Sequence, residues 1–204
     1  MPFCLARRSI LARWFAFTIR RRETGSMSVL TEHLTLEEFR AFEQSRLDGP
    51  RYEYWEGKAV PKAMPNKLHA RLQQVLLDLF ETVGYSSYIE LELRISPTWQ
   101  PKPDVAALLI DDDEPYPTKP FDIVAEVLSP SDEPAEVLKK CRHYQELRIE
   151  QIFVFDPERR TARQWNALAG ELKDITTLEL TNGNVLPVED VWLALDKKLK
   201  KTSL

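Results

Sequence analysis

The sequence predicts one α/β domain of mixed helices and strands, with a central mixed sheet flanked by helices, an N-terminal hairpin and C-terminal β additions. Three observations carry this. An amphipathic helical pattern spans residues 66 to 84, two short apolar runs at 104–110 and 121–128 read as buried strands, and the 204 residues with 43% hydrophobic content suffice for one substantial core.

The elements follow in order. Thr35 caps a short helix, and Glu38 completes a capping box. Residues 51 to 61 read as a hairpin turning through Glu56-Gly57. From Asn66 as N-cap to Gly84 as stop, Leu72, Val75, Leu76, Leu79 and Val83 recur at helical spacing, with His69 near the same face. Ile89, Leu91, Leu93 and Ile95 alternate with Glu90, Glu92 and Arg94, which predicts a half-exposed strand with the apolar set inward. Residues 104–110 are apolar on both faces and predict a central strand. An exposed acidic loop at 111–117 leads to the strand carrying Glu126, which Pro130 ends. Ser131 or Asp132 is expected to cap a helix with Pro134 in its first turn, running to about Leu147. Residues 152–155 supply another buried strand; a further hairpin is expected across Thr161 to Asn182-Gly183, then a short closing segment around Val191-Trp192-Leu193 and a solvated tail over 197–204.

Charge divides the chain. Residues 1–26 carry six arginines against the single acid Glu23, so within the overall charge of −4 the remainder is strongly acidic. Such a body lacks the broad basic footprint of a protein that holds nucleic acid by phosphate contacts alone, and binding of that kind would have to be local or metal-assisted. The basic extension, 1–26, is expected to stand outside a fold spanning 27–196; no stretch in it reaches the length of a membrane span. Cys4 and Cys141 lie too far apart to suggest a disulfide framework, which fits a reducing, cytoplasmic setting.

Two acids interrupt the buried runs: Asp104 after Pro103, and Glu126 within Ile123-Val124-Ala125-Glu126-Val127-Leu128. A carboxylate at the edge of a buried strand requires a cation or hydrogen-bond donors, and two such groups side by side repel. A divalent metal satisfies both, and Mg²⁺ in particular favours one or two carboxylates completed by water and phosphate oxygens. A nearby lysine would then orient the attacking water and neutralise charge on a phosphate; Lys139 and Lys140 are the candidates.

Pro103-Asp104, Glu126-Val127-Leu128-Ser129-Pro130, Lys140 four residues before Tyr144, and Ile152-Phe153-Val154-Phe155-Asp156-Pro157 together resemble the Uma2 family of restriction-endonuclease-like proteins, a branch of the PD-(D/E)xK nuclease superfamily. The resemblance takes in the hairpin with Glu53, Pro65 and His69, and covers roughly residues 30 to 195. It implies a restriction-endonuclease-like core that hydrolyses DNA with Mg²⁺ or Mn²⁺: Asp104 and Glu126 as metal ligands with the Val127 carbonyl as a third, Lys140 as the catalytic lysine, Glu53 and His69 as accessory catalytic residues. The superfamily's usual lysine, two residues after the second acid, is replaced here by Leu128, so its role falls to Lys140.

Each residue has a plainer alternative. Asp104 could cap the preceding turn, Glu126 could pair with an arginine such as Arg94, His69 could be a satisfied core histidine, Glu53 a cross-strand partner and Tyr144 a packing residue. The corresponding whole-protein alternatives are a non-catalytic nucleic-acid or protein-binding module, and a homodimeric scaffold whose acids serve internal ion pairs.

Overall fold

The computed structural model describes residues 33–46, 50–62, 65–112 and 114–200. The basic extension over 1–26 lies outside these residues.

The N-terminal part is a small unit leaning on the main sheet. Thr35 and Glu38 form the expected capping box at the start of α1 (Leu36–Gln44), which buries Phe39 against Tyr54 and Ala59. The hairpin β1 (Tyr52–Trp55) and β2 (Lys58–Pro61) turns through Glu56 and Gly57, both at positive φ, the backbone that matches a two-residue turn to strand twist. Helix α2 (Lys67–Thr82) starts at Asn66, whose side chain accepts the His69 N–H at 2.8 Å.

The expected strand over 89–95 is instead β3 (Ser86–Ile89) followed by irregular chain. Glu90 at φ +53° ends the extended run, and Glu92 turns inward because Arg40 and Arg94 each meet its carboxylate at 2.7 Å, while Ile89 is left exposed. Ion pairing thus overrode the apolar alternation. Next, β4 (Trp99–Gln100) joins β1 and β2 in a three-stranded sheet of order β2-β1-β4.

The main sheet has order β3-β5-β6-β7-β8-β9, with β5 (Val105–Leu108), β6 (Ile123–Val127), β7 (Gln151–Asp156), β8 (Thr161–Asn166) and β9 (Glu171–Ile175). Only the β6–β7 pair is parallel, and α3 (Pro134–Glu146) makes the crossover between them. The cap of α3 differs from expectation. Glu133 holds the N-cap position without a side-chain bond, because Asp132 accepts the Ser129 N–H and closes its own turn.

A second small hairpin, β10 (Thr177–Glu179) with β11 (Val185–Pro187), leads into α4 (Val188–Lys200). The closing segment is therefore a full helix, and the start of the lysine-rich tail is its last turn, with Lys198 paired to Asp78 at 2.7 Å. Alternate residues of the sheet face opposite cores. Val105, Ala107, Ala125, Phe153 and Phe155 pack under α2 and α4; Ala106, Val124, Ile152 and Val154 pack under α3. Among the described residues no helix is long and apolar enough to cross a membrane.

Candidate active site

Sheet register brings the two acids together. β5 and β6 are antiparallel with Val105 opposite Ala125, so Asp104, in the bend just before β5, and Glu126, near the end of β6, lie at the same end of the pair. Helix α2 closes one side of this sheet end, α3 the other, and the β1–β2 hairpin forms the rim. Between them lies a cavity of about 130 Å³ whose lining includes Glu53, Lys62, His69, Asp104, Glu126 and Lys140.

Asp104 is buried and fully engaged. Its Oδ2 accepts the Val127 N–H at 2.9 Å and faces His69 Nε2 at 3.5 Å; its Oδ1 meets Lys62 Nζ at 3.2 Å and Gln73 Nε2 at 3.4 Å. Burial pushes its pKa up, but Lys62 and the His69 hydrogen bond outweigh that and hold it well below the usual carboxylate range. His69 Nδ1 lies 3.2 Å from Ser129 Oγ, so the ring is fixed between that hydroxyl and Asp104.

Glu126 projects to the α3 side, where Lys140 Nζ stands 3.0 Å from Oε1 and 3.1 Å from Oε2 and the Tyr144 hydroxyl donates to Oε1. Burial pushes Glu126 up to about 7, with Lys140 pulling against it and Asp104 adding to it. Burial would lower Lys140, yet Glu126, Glu53 and Asp104 together raise it, so it stays charged. Lys140 also meets Glu53 Oε1 at 3.3 Å, and that same oxygen accepts the Lys102 N–H at 3.0 Å. Lys139, a helical step away, reaches outward to Glu56 at 3.4 Å and over the Trp55 ring.

The structure thus gathers Glu53, His69, Asp104, Glu126 and Lys140 around one cavity. Arg94 is not the partner of Glu126, since it is committed to Glu92. Tyr144 is more than packing: its hydroxyl is spent on Glu126. Sequence reasoning missed Lys62 and Gln73. Gln73 lies four residues after His69 on the same helical face, which could have marked it; nothing periodic marks Lys62. The expected repulsion between two bare acids is also corrected, because Lys62 and Lys140 neutralise them from within.

The donor set suits a hard divalent ion. Asp104 and Glu126 both present carboxylate oxygens to one cavity, and no cysteine is among the residues lining it. In a strand the N–H and C=O of one residue point the same way, so the Val127 carbonyl faces the Asp104 side, as its N–H does. No cluster of three or more His, Cys, Asp or Glu side chains is arranged to enclose a metal among the described residues, so an ion here would complete its shell with water and substrate oxygens.

An acid pair at the end of a mixed sheet, backed by helices on both faces, belongs to a nuclease-like fold. A protein of Anabaena variabilis ATCC 29413, described as a putative nuclease belonging to DUF820, shares that fold with a TM-score of 0.65 at 19% identity, over 79% of this chain and 99% of its own. The chain belongs to the Uma2 family, described as putative restriction endonuclease, which it matches over residues 36–196. No curated protein matches it.

Proposed function

We propose that this protein is a divalent-metal-dependent endonuclease that hydrolyses phosphodiester bonds in DNA. What supports this most is the meeting of Asp104, Glu126 and Lys140 in one cavity, with Lys140 at 3.0 Å from Glu126. Asp104, Glu126 and the Val127 carbonyl would hold Mg²⁺ or Mn²⁺, which when bound supplies Lewis-acid charge and an acidified water. Lys140 orients the attacking water and offsets charge growing on the scissile phosphate, while Glu53 keeps its ammonium at the cavity. His69 steadies Asp104 from the α2 side. The acidic body makes DNA binding local to this site, and the two widely spaced cysteines fit the reading of a reducing, cytoplasmic setting.

Cleavage of DNA with Mg²⁺, with Mn²⁺ and with chelator tests this. Lys140→Ala should lose about 10²–10⁴-fold in rate, as expected for a positioned charge or base, while Lys139→Ala changes little. Equal activity in Lys140→Ala, or cleavage indifferent to chelator, refutes it. One observation favours a second reading, a non-catalytic binding module: both acids already carry ammonium partners. DNA binding without cleavage in either metal would select it.

A further inference from the structure

Lys62 is a buried charge that the nuclease mechanism leaves unused. It directly follows β2, and its N–H donates to the Arg51 carbonyl at 2.8 Å, so the hairpin anchors its backbone while the side chain turns into the cavity. Only 11% of that side chain is exposed. Its ammonium donates to the Lys102 carbonyl at 2.5 Å and to Asp104 Oδ1 at 3.2 Å, with Glu90 Oε1 at 3.8 Å.

The position matters because Asp104 has one oxygen to offer an ion. Oδ2 is committed to the Val127 N–H and His69, and Oδ1 carries the Lys62 ammonium at 3.2 Å with the longer, uncharged Gln73 contact at 3.4 Å. An ion reaching Oδ1 therefore competes with this ammonium for the same charge, and a buried ammonium leaves a carboxylate readily when another anion receives it. A phosphodiester seated in the cavity is such an anion. Lysine suits the exchange, since its donors rotate on a flexible four-carbon stem.

We propose that Lys62 is a substrate-phosphate ligand that exchanges Asp104 Oδ1 for a phosphate oxygen, so that metal ion and nucleic-acid strand load the site cooperatively. The inference rests on the metal-dependent nuclease reading and adds how its site is filled. Without substrate, Lys62 competes with the ion; with substrate, the competition is relieved. By linkage, metal must tighten substrate binding by the same factor.

Calorimetric titration of Mn²⁺ into the wild-type protein, alone and saturated with a hydrolysis-resistant phosphorothioate DNA dodecamer, measures this directly. The dodecamer should tighten Mn²⁺ binding about tenfold. Lys62→Gln should bind Mn²⁺ more tightly than wild type without DNA, lose most of the gain with DNA, and raise KM for cleavage more than it lowers kcat. Equal Mn²⁺ affinity of the wild type with and without dodecamer overturns the proposal, even if Lys62→Gln fails to fold. A folded Lys62→Gln that keeps the full coupling overturns it as well. Mn²⁺-dependent cleavage with uncoupled binding leaves the nuclease reading standing and removes this role of Lys62; absence of Mn²⁺ binding in both titrations refutes the metal reading itself.

Discussion

Lys140→Met removes the charge that holds two buried carboxylates while retaining most of the stem that packs beside them. In the wild type its ammonium lies 3.0 Å from Glu126 and 3.3 Å from Glu53, and all three side chains are largely buried. Stripping one partner from a buried ion pair costs about 3–5 kcal/mol, because the other is left without compensation. For a domain of this size each kcal/mol corresponds to about 2–4 °C, so the melting temperature at pH 8 should fall by roughly 6–20 °C. The loss should be smaller at pH 5.5. There Glu126, pushed up to about 7, is already mostly neutral and relies less on the ammonium. Urea unfolding of wild type and variant at both pH values, without metal, measures the difference. An unchanged stability at pH 8, or a larger loss at pH 5.5, would refute the assignment of Lys140 as the cation of this cluster.

The folded pKa of Glu126 lies above its ordinary value of 4.5, so its stabilising contribution is complete below 4.5 and is lost as pH rises through about 7, a change of about 3 kcal/mol. Glu126→Gln should remove that slope from the metal-free pH–stability curve, and a slope identical to wild type would show that another group causes it. Metal affinity should rise through the same window, since the ion requires the ionised carboxylate, and a pH-independent affinity between 6 and 8 would contradict Glu126 as a ligand. Tyr144→Phe deletes a donor to Glu126 and should cost about 1–3 kcal/mol at pH 8 in urea unfolding; no change would mean the hydroxyl is not holding the carboxylate. Gly57→Ala places a Cβ 3.0 Å from His33 Nδ1 at a φ of +81°, and should lower stability by about 1 kcal/mol, read as a small drop in melting temperature. An unchanged value there would show that the hairpin carrying Glu53 tolerates strain.

Elements with a local cause are legible before any fold is known. Thr35 with Glu38, Asn66 before the apolar stripe of α2, and Glu56-Gly57 in the hairpin turn each act within a few residues, so their outcome is readable without the fold. The acids Asp104 and Glu126 were likewise conspicuous, because charge inside an apolar run is costly wherever the run packs. What compensates them comes from segments distant in the chain. Antiparallel pairing of β5 with β6 brought Asp104 and Glu126 to one end of the sheet, and the crossover helix delivered Lys140 and Tyr144 one turn apart. Lys62 came from a hairpin 42 residues before Asp104 in the chain. The strand expected through residue 95 failed for the same reason. Arg40, 52 residues before Glu92, drew that carboxylate inward and overrode a pattern that was locally correct. Ion pairs between distant segments depend on which surfaces the fold brings together, and no spacing within one segment encodes that.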